Sequence, residues 1–277
     1  MLPRVVEYAR PASLEEALEL LASSDGVRAL AGGQTIVSVM KARAAAPDGL
    51  VDLARLEELK GIELGSDGSL ELGAMTTLAE ILASPEARAR PILPEVCAQI
   101  ADTQVRNRGT VGGNICANDP TNHLPPLMVA LGATMEITGL AGTHVVSAEE
   151  FFLGVYMTAV GPGELLTKVR LPPGRRDGFA SVTIGVEGTC LVSAVATLDN
   201  EPRVAIGCVG AVPYRPRALE ALLGEGLGLQ QAREATRGLG AELDPPSDVH
   251  GSADYRRAIA EVVVARAIAQ ASERGRR

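Results

Sequence analysis

The run Arg106-Asn107-Arg108-Gly109-Thr110-Val111-Gly112-Gly113-Asn114-Ile115-Cys116-Ala117-Asn118-Asp119-Pro120 constrains this chain more than any other stretch. It sets three glycines within five residues, beside Thr110 and Asn114. Without Cβ atoms the backbone there can turn sharply and bring its amides against a ligand. A second segment of the same character, Leu30-Ala31-Gly32-Gly33-Gln34-Thr35, follows a short apolar run, Val27 to Leu30, that reads as a strand. A lone Gly-Gly pair is usually a tight turn. Two hydroxyl-bearing glycine loops on one chain instead imply a ligand with a long phosphate-bearing body gripped from two sides, and we read that ligand as a dinucleotide. Thr35, Thr110 and Asn114 can each donate a hydrogen bond to a phosphate or ribitol oxygen. Neither a Gly-x-x-x-x-Gly-Lys-Ser/Thr loop nor a Gly-x-Gly-x-x-Gly opening a helix after a strand is present, which excludes the P-loop and Rossmann solutions.

The remaining sequence alternates helical and extended signals. Ser13-Leu14-Glu15-Glu16 is a capping box, and Leu14, Ala17, Leu18 and Leu21 recur at helical spacing, so a helix is predicted from about Ser13 to Ala22. Strand Val27 to Leu30, the first glycine loop, a short helix Ile36 to Lys41 and the apolar Leu50 to Leu53 complete a small α/β unit. Ile62 to Leu64 and Leu70 to Leu72 flank Ser66-Asp67-Gly68 as a hairpin that opens a second unit. Thr77 and Glu80 form another capping box, and Leu93, Val96, Cys97 and Ile100 predict a helix just ahead of the central loop. A helix over Leu124 to Leu131, strands Thr134 to Thr138 and Thr143 to Val146, a third capping box at Ser147 and Glu150, and a strand Leu165 to Leu171 follow. Pro172 to Gly178 is the best linker in the chain. Beyond it, Ala180 to Gly185, Leu191 to Leu198 and Arg203 to Val209 predict an antiparallel sheet, and helices are expected over Ala218 to Leu223, Leu229 to Leu239 and Ser252 to Ala271.

Composition narrows the function classes. A net charge of −8 removes the basic footprint that nucleic-acid binding requires, and 3% aromatic residues without Trp provide no base-stacking platform. Cys97, Cys116, Cys190 and Cys208 contain no Cys-x-x-Cys pair, so neither a zinc site nor an iron–sulfur cluster is expected. His123, His144 and His250 stand in separate segments, and no nucleophile–base set emerges. His123 alone lies next to the central loop, where its side chain can face the ligand. Arg106 and Arg108 flank that loop as either solvated charges or anchors. Residues Met1 to Tyr8 show no basic run followed by an apolar one, and no stretch approaches the roughly 18 apolar residues of a membrane span. A cytoplasmic location is expected.

At the two loops the chain resembles the flavin-binding medium subunit of the molybdenum hydroxylases, the family of carbon monoxide dehydrogenase and xanthine dehydrogenase. The matching pieces are Ala31-Gly32-Gly33-Gln34-Thr35 with Met40-Lys41-x-Arg43, and Ile100-Ala101-Asp102-x-Gln104 continuing through Val105 to Asn114. Asp119-Pro120, Leu124-Pro125-Pro126, Phe151-Phe152-x-Gly154, Gly207-x-Val209-Gly210 and Asp248-x-His250-Gly251-Ser252 with Tyr255-Arg256 extend the likeness over the whole chain. The resemblance implies an α+β fold. It would consist of a two-subdomain FAD-binding domain of the vanillyl-alcohol oxidase (PCMH) type over residues 1–174, divided near residue 56, and an α+β C-terminal domain with an antiparallel sheet over 175–277. It implies that Arg28, Ala29, Leu30, Ala31, Gly32, Gly33, Gln34, Thr35 and Ile36, together with Thr110, Val111, Gly112, Gly113 and Asn114, hold the pyrophosphate and ribityl chain of FAD. Ile100 and Ala101 would line the adenine side, Cys116 and Ala117 would approach the flavin ring, and Leu166 would touch the cofactor from a later strand. Where many relatives carry an Asp and a Lys near the flavin, this chain has His123 and Thr183.

The implied role is electron transfer. A large molybdenum-cofactor subunit would hydroxylate a substrate, a small subunit would relay electrons through two iron–sulfur clusters, and the FAD held here would pass them to an external acceptor, in a dimer of heterotrimers. The chain would carry no substrate-activating catalytic residue and no metal. The alternatives are a stand-alone FAD-dependent oxidase of the vanillyl-alcohol oxidase type and a scaffold whose glycine loops are only turns.

Overall fold

The computed structural model describes residues 5–185, 188–199, 201–223 and 227–274. The opening residues 1–4, part of the stretch read above for a leader, lie outside them.

The first unit is a parallel sheet in the order β1-β3-β2, built from β1 (Glu7–Ala9), α1 (Leu14–Ala22), β2 (Val27–Leu30), α2 (Ile36–Lys41) and β3 (Gly49–Asp52). Parallel neighbours need a crossover, which the two helices supply. Ala17, Leu18 and Leu21 of α1 bury against Val51, Leu53 and Leu56. Only half of the expected capping box forms. The Ser13 hydroxyl accepts from the Glu16 N–H at 3.2 Å, whereas the Glu16 carboxylate accepts from Ala12 at 2.7 Å rather than from Ser13.

The second unit contains β4 (Ile62–Leu64), β5 (Leu70–Gly73), α3 (Leu78–Ala83), α4 (Ile92–Cys97), α5 (Thr103–Arg106), α6 (Val111–Ala117), α7 (Leu124–Leu131), β6 (Thr134–Gly139), β7 (Gly142–Ser147), α8 (Ala148–Phe151), β8 (Phe152–Gly154), β9 (Met157–Thr158) and β10 (Leu165–Leu171). Its main sheet runs β4-β5-β10-β6-β7, with antiparallel pairing throughout. β10 therefore closes the sheet from its middle. Leu72, Met135, Ile137 and Val169 face Leu93, Val96, Val111, Ile115 and Leu127 in the largest core cluster. The capping boxes at Thr77 with Glu80 and at Ser147 with Glu150 close in both directions. The helix predicted to include Ile100 ends instead at Cys97. Ala101 then takes φ +47°, a left-handed backbone that no helix can carry.

The last unit is the antiparallel sheet β11 (Asp177–Ile184), β12 (Thr189–Thr197) and β13 (Arg203–Gly207), followed by α9 (Arg217–Glu220), α10 (Leu229–Ala235) and α11 (Ala253–Arg274). β12 is buried almost end to end because both faces of the sheet are covered. Phe179, Val195 and Ala205 join the core of the preceding unit, while Ala194, Ala196, Val204 and Ile206 pack with Val263, Val264 and Ile268 of α11. Gly178 makes the close approach of α11 possible, since a Cβ there would lie 2.0 Å from the Ala267 carbonyl oxygen.

Several boundaries differ from expectation, among them the start of β11 at Asp177 rather than Ala180 and the end of α9 at Glu220 rather than Leu223. β13 stops at Gly207 rather than Val209 because Cys208 has φ +67°. The helix expected over Leu229 to Leu239 stops at Ala235, and Gly238 with φ +87° leads into a 3-10 turn, Leu239–Glu242. The run read as a linker is clamped rather than loose. Arg90 reaches across to bind Asp177 through two hydrogen bonds of 2.8 Å and also donates to the Pro172 carbonyl. Among the described residues no helix is long and apolar enough to cross a membrane.

Candidate functional site

Two chain reversals build the site. β2 delivers the chain to Ala31 and Gly32. Gly33, with φ +76°, turns it into α2, whose first residue is Ile36. On the other side Asp102 caps α5 by accepting from the Val105 N–H at 2.8 Å, and α5 unwinds into Gly109. The segment from Gly109 is then pinned to the strand end behind it. Leu78 donates to Gly109 O, Val111 to Thr76 O and Gly112 to Ala74 O, each at 2.9 Å.

The sequence reading made Thr110 to Asn114 a loop; it is the N-cap and first turn of α6. Thr110 has extended backbone, and its hydroxyl accepts from the Gly113 N–H at 3.0 Å, which satisfies one of the unpaired donors at a helix start. Glycine at 112 serves packing, because a Cβ there would sit 2.6 Å from the Cβ of Ala74. Replacing Thr110 with alanine is expected to cost about 1 kcal/mol of stability through loss of the cap. The shift in the urea unfolding midpoint measures it.

The two segments converge. A Cβ on Gly32 would lie 2.0 Å from the Arg108 carbonyl oxygen and 3.0 Å from the Cα of Gly109, and one on Gly113 would lie 3.4 Å from the Cβ of Ala31. Residues far apart in sequence thus meet backbone to backbone, with no side chain between them. The amides of Gly32, Gly33, Gln34 and Thr35 donate to no protein acceptor among the described residues. Asn114 Oδ1 is buried without a hydrogen-bond partner, while the Asn114 carbonyl accepts from Asn122 Nδ2 at 3.0 Å. Unpaired donors on one wall and an unpaired amide oxygen on the other are what an anion with a polar tail would satisfy.

Other predicted positions fall at different distances from this centre. Arg28, at the start of the strand leading in, spends its guanidinium on the Asp25 and Val27 carbonyls. Gln34 Nε2 donates back to Gly32 O at 3.3 Å. Ile100 packs at the edge of the large core, and Arg106 donates to the carbonyls of Ile100, at 3.0 Å, and Ala101, at 2.6 Å. Arg106 is therefore a brace for that turn, a role outside the two readings left open for it. The side chain of Cys116 packs on the large core, where burial pushes its thiol up to about 12, so what Cys116 and Ala117 can offer a ligand is backbone. Leu166 is buried in β10 opposite Ile137. His123, next to α7, is buried edge-on against Phe179, with ring centroids 5.2 Å apart, and its Nδ1 has no hydrogen-bond partner. Thr183 is exposed on β11.

Asn118 escaped the sequence reading. It ends α6 in a left-handed conformation, φ +39°, and its buried side chain donates to Gly154 O at 2.7 Å and Met157 O at 3.2 Å, tying the β8–β9 hairpin to the site. Its neighbour Asp119 accepts from the Tyr156 hydroxyl at 3.0 Å. The polar run Asn118-Asp119-Pro120-Thr121-Asn122 after a glycine helix was the available signal.

A junction of two glycine segments with unpaired amides suits a dinucleotide, and comparison with known proteins decides which. Residues 4–174 match the FAD binding domain in molybdopterin dehydrogenase, and residues 175–271 match the CO dehydrogenase flavoprotein C-terminal domain. The chain belongs to the FAD-binding subunits of the molybdopterin dehydrogenases. It is 37% identical over 289 residues to the carbon monoxide dehydrogenase medium chain of Afipia carboxidovorans, covering 100% of both chains. In structure it superimposes on a chain of the cyanide-inactivated Cu,Mo-CO dehydrogenase with a TM-score of 0.92 and 34% identity, covering 99% of this chain and 100% of the other. Quinoline 2-oxidoreductase from Pseudomonas putida 86 gives a TM-score of 0.91 and 35% identity over 99% of each chain. This molybdopterin dehydrogenase flavoprotein is thus an oxidoreductase subunit whose cofactor is FAD, with the α+β architecture expected. Its relatives are medium chains of multi-subunit molybdenum enzymes.

Proposed function

We propose that this chain is the electron-exit subunit of a molybdenum hydroxylase. The paired glycine segments would hold FAD, which would supply the electron transfer between iron–sulfur clusters on a small partner subunit and an external acceptor. A large subunit carries the molybdenum cofactor, and the complex is a cytoplasmic dimer of heterotrimers. The observation that carries this reading is the backbone contact of Gly32 with Arg108 and Gly109, which brings the two segments to one place.

Bound FAD supplies electron transfer in ones or twos; this chain's residues supply position. The free amides of Gly32 to Thr35 hold the pyrophosphate, with Arg28 to Leu30 and Ile36 shaping that wall. Thr110 to Asn114 would hold the ribityl chain, with the unpartnered Asn114 Oδ1 free to accept a hydrogen bond from it. Ile100 and Ala101 line the adenine side in the turn that Arg106 braces, while Cys116, Ala117 and Leu166 border the ring. No residue here activates a substrate, so substrate choice belongs to the large subunit. Relatives named for carbon monoxide and for quinoline share this same medium-chain fold, which agrees with that division.

Purification of the native complex tests the assignment. Untagged molybdenum and iron–sulfur subunits should co-purify, and the isolated chain should show a flavin spectrum and no substrate oxidation of its own. A colourless chain, or a yellow one that turns over substrate alone, would contradict it.

A further inference from the structure

The β8–β9 hairpin shows the solvent a surface that no role assigned so far requires. Leu153, Val155, Tyr156 and Met157 are each 46–61% exposed, and no charged residue occurs from Phe151 to Gly163. Exposed apolar side chains gathered in one place, rather than scattered singly, mark a surface that meets something. The hairpin is also held stiffly. Tyr156, at its tip, has φ +56°, a left-handed backbone that a tyrosine seldom adopts and keeps only where its surroundings impose it. Asn118 Nδ2 donates to Gly154 O at 2.7 Å and Met157 O at 3.2 Å, Tyr156 N donates to Asn118 O at 3.2 Å, and the Tyr156 hydroxyl donates to Asp119 Oδ2 at 3.0 Å.

These bonds fix its place relative to the FAD site. Asn118 directly follows Ala117 at the end of α6, and Asn122, in the same turn, donates to the Asn114 carbonyl at 3.0 Å. The crown of the hairpin thus stands at the end of α6 that carries Cys116 and Ala117. Fixed charge around it is acidic. Asp119 holds the tip, and Glu149 and Glu150 belong to α8, which runs straight into β8. Arg215 and Arg217 line a pocket of about 150 Å³ beside Phe152, and both are already spent. Arg215 binds Glu220 through two hydrogen bonds of 2.8 Å and also binds Glu149, to which Arg217 is bound as well. Val129, Val212 and Pro213 complete that pocket with apolar surface.

We propose that the β8–β9 hairpin is where the external electron acceptor meets this subunit, and that the acceptor is a neutral quinone rather than an anionic pyridine dinucleotide. This rests on the reading above in which Cys116 and Ala117 border the flavin ring. In sum, reduced FAD and a quinone give oxidised FAD and a hydroquinone, two electrons and two protons passing from one to the other. A quinone ring carries no net charge, and its contact with Leu153, Val155, Tyr156 and Met157 removes apolar surface of both from water. A dinucleotide brings a charged pyrophosphate, for which the hairpin holds no cation and against which Asp119, Glu149 and Glu150 stand. Discrimination between the two acceptors therefore lies in the uncharged crown and the acidic residues around it.

The test reduces the intact complex anaerobically with dithionite, removes the excess, and follows the return of oxidised-flavin absorbance after rapid mixing with decylubiquinone or with NAD. The expected result is saturable reoxidation by the quinone and none by NAD. Val155→Glu combined with Met157→Glu should raise the quinone concentration for half-maximal rate about tenfold or more, with FAD content unchanged. Leu64→Glu with Leu222→Glu adds the same charge to exposed apolar side chains on β4 and beyond α9, and should leave the quinone reaction as it was. Saturable reoxidation by NAD, no reoxidation by the quinone, or quinone kinetics that the hairpin variant does not alter would each overturn the inference while the flavin assignment stands. Loss of the partner subunits from the hairpin variant would do the same, since the hairpin would then be an assembly surface. A complex that carries no flavin would overturn both.

Discussion

Gly32→Ala is expected to strip FAD from the chain while leaving most of the fold intact. The new Cβ would stand 2.0 Å from the Arg108 carbonyl oxygen, and the next obstacle, the Cα of Gly109, is also backbone. No rotamer change relieves such a clash, so the two glycine segments must move apart. Separation misplaces the amides of Gly32 to Thr35 relative to Asn114. Hydrogen bonds to a charged group contribute about 1.5–3 kcal/mol each, so losing two of them weakens FAD by roughly 100-fold or more. Flavin absorbance relative to protein absorbance after gel filtration reads the effect. Gly228→Ala, where the nearest atom to the new Cβ is 3.8 Å away on a flexible Gln231, is the matched control and should retain full flavin.

Arg90→Ala should destabilise the chain by about 3–5 kcal/mol, the usual cost of leaving one member of a buried ion pair alone. Arg90 is 3% exposed and Asp177 is 1% exposed, and the two make a bidentate contact of 2.8 Å. Burial pushes the Asp177 carboxyl upward and the Arg90 guanidinium opposes it; without Arg90 only the Thr197 hydroxyl still opposes that push. The pair also joins the segment before β11 to the preceding unit, since Arg90 donates to the Pro172 carbonyl and Gly174 packs against it. Urea unfolding should show the loss. Replacing both partners together, Arg90→Met with Asp177→Leu, should recover much of it, because no uncompensated charge is left behind.

Much of this architecture is legible in the residues themselves. Thr77 with Glu80 and Ser147 with Glu150 mark helix starts that form as written, because a capping box is a local exchange of hydrogen bonds. The β4–β5 hairpin follows from alternation around a short turn, and β6 and β7 form where two strands were read. Legibility fails where distant contacts decide. Ile100 has helical spacing, but the turn at Ala101, braced by Arg106, ends the helix earlier. The apparent linker at Pro172 to Gly178 has linker composition, yet Arg90, more than eighty residues upstream, clamps it. At the site, the sequence reading brought both glycine segments to one ligand; that they also touch backbone to backbone was not legible, because a glycine's missing Cβ leaves no trace of what fills its space. Thr110 as a helix cap, rather than a loop residue, likewise depends on Val111 and Gly112 pairing with Thr76 and Ala74.

The central claim concerns one cofactor in one cleft, and a crystal structure of the flavin-loaded complex tests it most directly. Electron density for FAD should place the pyrophosphate on the amides of Gly32 to Thr35, with a ribityl hydroxyl donating to Asn114 Oδ1. FAD bound away from the Gly32–Gly109 junction, or held by one glycine segment while the other stays clear of it, would contradict the account.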